Sequence, residues 1–225
     1  MNEYTICRKP APAGPGEWTD AYWADVPVVA IANYHPDSSD HHPRAEVKLT
    51  HSSDAIHVFF RVEDQYVRSV ATKRNDPVCC DSCVEFFLAP RPDAGSTYFN
   101  FEFAAGGVLL ASYVEDPSRE PGGPLAKYTL FSEAQASGIT AATSLPGITD
   151  PEIAEPTTWT LQYTLPLAAM ESFVGPLAPL DGRTMRANFY KCGDDTSHPH
   201  WGAWNSIGDE LNFHQPAQFG PLRFE

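Results

Sequence analysis

DSCVEFFLA (residues 81–89) and TYFNFEFA (residues 97–104) are the two stretches whose reading decides the fold. Successive side chains of an extended strand point to opposite faces of its sheet. In the first stretch Val84, Phe86 and Leu88 therefore share one face and Glu85 points the other way. In the second, Phe99, Phe101 and Phe103 line one face, with Tyr98, Asn100 and Glu102 opposite. A sheet of this pattern buries its aromatic face, and the alternation predicts a polar, hydrogen-bonding surface on the other side.

The same period of two recurs on both sides. In AEVKLTH (45–51), Ala45, Val47 and Leu49 alternate with Glu46, Lys48 and Thr50. In IHVFFRVED (56–64), Ile56, Val58, Phe60 and Val62 alternate with His57, Arg61 and Glu63. The two runs are close enough for a hairpin, with Glu46 or Lys48 placed to pair with Arg61 or Glu63 across the strands. Gly106-Gly107 signals a turn that returns the chain through VLLASYV. WTLQYTL (159–165) turns Trp159, Leu161, Tyr163 and Leu165 inward, and RTMRANFYKC (183–192) turns Met185, Ala187 and Phe189 inward with Arg186, Asn188 and Tyr190 outward. Only LAAMESFV, after Pro166, has a helical pattern, and EWTDAYWAD (17–25) offers Trp18, Tyr22 and Trp23 to a sheet edge. Many short strands, one or two short helices and 21 prolines predict an all-β antiparallel sandwich of jelly-roll or immunoglobulin-like layers. No compositional break divides the 225 residues, so one domain is expected across 1–225.

The formal net charge of −14 makes nucleic acid and anionic membrane surfaces poor partners and favours neutral or cationic ligands. No apolar run approaches the roughly 18 residues that span a bilayer. The amino terminus as written has no basic and apolar leader, which points to the cytoplasm unless a leader has been removed, in which case the protein is secreted or periplasmic. Five cysteines at irregular spacing suggest reduced thiols. Oligomeric state is open at this stage.

DPVCCDSCVEFFLAP followed by YFNFEF, a Gly-Gly turn, ANFYKCGD, WGAW and FHQPAQFGPLRFE resembles the carbohydrate-binding module family 9-like proteins, β-sandwiches related to sugar-binding modules of xylanases and to the DOMON group. The resemblance covers nearly the whole chain and rests on order and spacing. It implies a sugar ring held between two aromatic side chains, with its hydroxyls bound by polar groups of the sheet and calcium bracing the loops. On this resemblance Glu85 matches the acid after the Asp-Ser pair, Asn188 the amide of the late strand, and Trp201 or Trp204 the aromatic platform. The chain departs from the pattern where Val78, Cys79 and Cys80 replace a tryptophan ahead of Asp81, and where no arginine lies on the strand of Tyr98, Asn100 and Glu102. The second aromatic wall is therefore unassigned, and Arg186 is the substitute arginine available from another strand.

The candidate ligand-binding set is Glu85, Tyr98, Asn100, Glu102, Arg186, Asn188, Trp201 and Trp204. Its alternative reading is an internal network in which Glu85 and Arg186 satisfy each other. For Trp204 the alternative is loop anchoring on the core. Cys79, Cys80 and Cys83 lack the paired spacing and fourth ligand of a zinc site, and Cys83 reads as a small packing residue. The histidines, including His41, His42, His198, His200 and His214, read as solvated loop residues. Structural calcium is the better metal expectation, at Asp64, Asp76 and Asp81, with Asp194 and Asp195 as a second place; no cofactor is required. The expected function is non-catalytic binding of a mono- or oligosaccharide. Its rivals are a glycoside hydrolase using Glu85 and Glu102 as paired carboxylates, and an interaction scaffold that has lost its sugar.

Overall fold

The computed structural model describes residues 1–120 and 123–225. In chain order the strands are β1 (Tyr4–Arg8), β2 (Val29–Ile31), β3 (Asn33–Tyr34), β4 (Arg44–His51), β5 (Ala55–Asp64), β6 (Val67–Ser69), β7 (Cys83–Ala89) and β8 (Tyr98–Ala104). They continue with β9 (Leu109–Asp116), β10 (Lys127–Leu130), β11 (Thr140–Thr143), β12 (Thr149–Ile153), β13 (Thr157–Pro166), β14 (Thr184–Cys192), β15 (Trp201–Ala203) and β16 (Gly220–Phe224). Two short helices, α1 (Glu133–Ala136) and α2 (Leu167–Val174), complete the set. The second begins after Pro166, as its pattern predicts.

One layer runs β10-β9-β8-β7-β14-β16-β1, and the other β1-β4-β5-β13-β11. The first strand belongs to both. Tyr4–Ile6 lie parallel to Leu222–Phe224 of β16, whereas Cys7 and Arg8 lie parallel to Thr50 and His51 of β4. The other strand pairings described are antiparallel, so β1 is the exception to the expected pattern and hinges the two layers together at a corner.

Every inward face anticipated from the alternation lies in the shared core, including Val84, Phe86, Leu88, Phe99, Phe101 and Phe103 from one layer and Val58, Phe60, Trp159 and Tyr163 from the other. Phe103 meets Tyr163 across the layers at 4.6 Å between ring centres, and Phe86 stacks on Phe189 at 4.9 Å. Burying each such side chain stabilises the fold by roughly 1.5–3 kcal/mol. A one-residue slip would drive Glu85 and Glu102 into that core, which fixes the register.

The hairpin of β4 and β5 forms with Glu46 opposite Arg61. Arg61 pairs with Glu63 at 2.7 Å and lies 3.6 Å from Glu46. Lys48 takes no part: it is buried, donates to the carbonyls of Trp18 and Trp23, and sits over the Trp18 ring. The 17–25 segment thus covers the outer face of this layer, with Trp18 and Trp23 packed on Phe59.

The outer face of the β7–β8–β14 layer differs from the open polar surface expected. Glu85, Asn100, Glu102 and Asn188 are all buried. The reason lies in their neighbours: Phe87, Tyr98 and Tyr190 on the same face form a second apolar cluster with Ile207 and Phe219, which draws the late loop across the sheet. Ala71, Val78, Cys83, Ala104 and Cys192 form a third cluster under the 70–80 loop.

Candidate functional site

Between these two covers lies a cavity of about 270 Å³. Its floor is the outer face of β7, β8 and β14. Glu85 and Glu102 are direct partners across β7 and β8 and both line it. Cys192 comes from β14, Cys79 from the turn before Asp81, and Asp194 from the loop after β14. Trp201 forms one wall, and Arg119 with Leu211–His214 closes the other side.

The covers are tied down by the sheet itself. The buried Asp81 carboxylate accepts from the backbone N–H groups of Val70 and Ala71 and from Arg68, which fastens the 70–80 loop. That loop holds the next one, because the Cys79 and Cys80 carbonyls accept from the N–H groups of Asp194 and Asp195. On the far side the Tyr190 hydroxyl donates to the Phe213 carbonyl at 2.9 Å, and the Tyr98 hydroxyl bonds His214 Nδ1 at 2.6 Å. The Gln215 amide donates to the carbonyls of Ile207, Glu210 and Asn212, curling the roof on itself.

Burial, reinforced by the neighbouring Glu102 charge, holds the Glu85 carboxyl well above its ordinary value. Burial also pushes Glu102 up to about 7, against the opposing effect of the Asn100 amide, which donates to its Oε1 at 2.6 Å. Asp194 is raised by burial too, partly offset by the Trp201 indole N–H that donates to it at 2.7 Å. Burial and the nearby Arg119 guanidinium lower His214 to about 3, so its ring is neutral. The cavity thus presents carboxyl groups whose proton affinity burial raises, and a protonated carboxyl both donates and accepts hydrogen bonds.

Glu85, Glu102 and Trp201 of the expected set line the cavity. Tyr98 and Asn100 lie behind it: Asn100 orients Glu102 and accepts from Ser112, while Tyr98 holds His214. Asn188, Arg186 and Trp204 depart from expectation. Asn188 is fully buried and clamps the Asn205 backbone through both ends of its amide. Arg186 does not pair with Glu85; it donates to the carbonyls of Phe219 and Ala217, at the far end of the strand. Trp204 packs against Phe189 in the main core and so takes the anchoring alternative.

The three aspartates anticipated as calcium ligands do not gather. Asp76 accepts from the N–H groups of Thr72 and Lys73, and Asp81 is the loop fastener described above. Asp64 is buried beside Lys191 at 3.4 Å and accepts from His41 at 2.8 Å and from the Trp159 indole at 3.1 Å. Lys191 also bonds His200 Nε2 at 2.6 Å, and Tyr66 stacks on His198 at 3.6 Å. His41, His198 and His200 therefore belong to a packed end of the sandwich rather than to solvated loops.

Arg119, Phe213, His214 and Cys192 are cavity residues that the sequence reading did not assign to the site. Phe213 was within the quoted FHQPAQFG segment, but only the fold reveals that it stacks on Tyr190 at 4.1 Å and lies in the cavity lining with Trp201.

A comparison with curated proteins finds no match. Among solved structures, a protein from Bacteroides uniformis ATCC 8492 proposed to bind carbohydrate is similar at 28% identity and a TM-score of 0.85, over 100% of this chain and 99% of the other. A carbohydrate-binding module family 9 from Caldicellulosiruptor kristjanssonii, solved with glucose, shares the fold at 16% identity and a TM-score of 0.66, over 100% of this chain and 96% of the other. The same kind of module from that organism, solved with cellotriose, gives 16% and 0.65 over 100% and 94%. The profile of carbohydrate-binding family 9 matches residues 21–224. With nearly the whole chain matched and the same sandwich beneath the cavity, the protein belongs to carbohydrate-binding family 9.

Proposed function

We propose that the cavity over Glu85 and Glu102 binds one sugar residue, free or at the end of an oligosaccharide, without hydrolysing it. The observation that carries this reading is the coincidence, in one cavity, of two aromatic side chains with hydroxyl-binding groups. Trp201 and Phe213 line the cavity and carry rings of the kind that pack on the C–H faces of a pyranose, and Glu102, Asp194, Arg119 and Asn212 supply donors and acceptors for its hydroxyls. Phe213 takes the part of the missing tryptophan ahead of Asp81. At about 270 Å³ the space falls just below the usual 300–1,000 Å³ of drug-sized ligand pockets, which favours a single ring over a threaded chain.

The acid pair does not favour a glycosidase. Its members are direct cross-strand partners, and hydrolysis needs one of the two carboxyls ionised. Burial opposes ionisation of both.

The test is calorimetric titration with glucose and cellotriose, the sugars held by the family 9 modules described above. Saturable binding that Trp201→Ala and Phe213→Ala abolish, with no release of product from either sugar or from aryl glycosides, is the expected result. Binding that survives both substitutions would remove the site from this cavity, and turnover would reinstate the enzyme reading.

A further inference from the structure

We propose that Cys83, Glu85 and Cys192 form a binding site for a soft divalent cation of the zinc class on the floor of the cavity. Cys83 and Cys192 are direct partners across β7 and β14, and Glu85 lies two residues beyond Cys83, so all three project from the same sheet face. Their ligand atoms lie within 4.8 Å of one another, and all three residues are buried. Glu85 Oε1 is 3.2 Å from Cys192 Sγ and 4.0 Å from Cys83 Sγ.

These separations suit a tetrahedral ion. With Zn–S near 2.3 Å and Zn–O near 2.1 Å, tetrahedral angles place two sulfurs about 3.8 Å apart and a sulfur about 3.6 Å from an oxygen. The sulfur–oxygen distances of 3.2 and 4.0 Å bracket the second figure, so side-chain adjustment suffices. The ligands also sit on central strands of a closed sandwich, where neither backbone can shift readily, which preorganises the set.

Two sulfurs and one carboxylate select a soft or borderline cation and disfavour calcium, which takes six to eight oxygens. Glu85, Cys192 and Cys79 line the cavity while Cys83 lies beneath it, so a fourth ligand, a water or a ligand atom, would reach the ion from the cavity side. The local sequence conceals this arrangement because Cys192 is supplied by a strand far along the chain. The site is independent of the sugar reading in its evidence and in its test, since metal uptake is measured with no sugar present.

The experiment is titration of the reduced, metal-free full chain with Co²⁺, followed optically, and then displacement by Zn²⁺. The expected result is uptake of about one equivalent, with a sulfur-to-cobalt charge-transfer band that Zn²⁺ removes and Ca²⁺ does not. Cys192→Ser and Cys83→Ser should each abolish the band, and Cys7→Ser, on the other side of the molecule at the β1–β4 pairing, should keep it. Circular dichroism shows whether each variant is folded, and the wild-type spectrum decides the matter if the cavity variants are not. A wild-type protein that gives no charge-transfer band, or a band retained in both folded cavity variants, would overturn the proposal. Formation of a Cys83–Cys192 disulfide in a protein that takes up no metal when reduced would overturn it in favour of a redox pair.

Discussion

Glu102→Gln should make the protein more stable at pH 8 and leave it unchanged near pH 4. The substitution keeps the shape of the side chain and the carbonyl oxygen that accepts from Asn100, and removes only the ability to ionise. In the folded protein burial raises the Glu102 carboxyl from 4.5 to about 7. The folded state therefore holds a proton that the unfolded state has released between those values, and the unfolding free energy falls as pH rises through that window. Its favourable contribution is fully present below about pH 4.5 and lost above about pH 7. A displacement of about 2.5 units at 1.36 kcal/mol per unit corresponds to roughly 3 kcal/mol, which the glutamine recovers at pH 8. For a chain of this length that is a rise in Tm of roughly 6–12 °C. Urea unfolding of both proteins at pH 4, 6 and 8 measures it. A variant less stable than wild type at pH 8, or a difference independent of pH, would refute the placement of Glu102 as a desolvated acid without a cationic partner.

Four further outcomes follow from particular contacts. Lys191→Met should cost about 3–5 kcal/mol, because it strands the Asp64 carboxylate in a site where neither side chain meets solvent; chemical denaturation at pH 7 reads the loss, and Asp64→Leu added to it should recover part. Burial alone would raise Asp64, but Lys191 and the bonds from His41 and Trp159 hold it well below 3.8, so stability from this group is present above that value and fades on acidification below it. Gly106→Ala should destabilise by about 1–3 kcal/mol in thermal melts, since a Cβ there would stand 2.2 Å from the Gly147 carbonyl oxygen. Trp201→Ala should remove at least about 2 kcal/mol, the loss expected of an anchoring aromatic, a weakening of roughly 30-fold or more that takes sugar binding out of range of the titration that measures wild-type affinity.

The inward faces were legible because alternation reports which side of a strand is buried in the shared core, and a register slip would expose aromatics and bury acids. Alternation does not report what covers the other side. Glu85, Glu102, Asn188 and Arg186 all point outward, yet the first two line a cavity while Asn188 and Arg186 hold the 205–219 loop over its neighbouring apolar cluster. The cues were Phe87, Tyr98 and Tyr190, outward-facing aromatics too large to be left to water. Trp201 and Trp204 lie three residues apart but serve different ends, because β15 turns Trp204 onto Phe189 while Trp201 faces Asp194. The partners supplied from far along the chain, Phe213, His214 and Cys192, have no local signature; their positions follow from tertiary bonds such as those of Tyr190 and Tyr98.

The most direct measurement of the central claim is a calorimetric screen of the wild-type chain against a panel of neutral mono- and oligosaccharides, repeated with Trp201→Ala and Phe213→Ala. The account predicts saturable one-to-one binding of at least one sugar, with little gain in affinity as the chain lengthens beyond the residue in the cavity, and loss of binding in both variants. Affinity that climbs steadily with chain length, or binding indifferent to both substitutions, would contradict a single-residue site over Glu85 and Glu102.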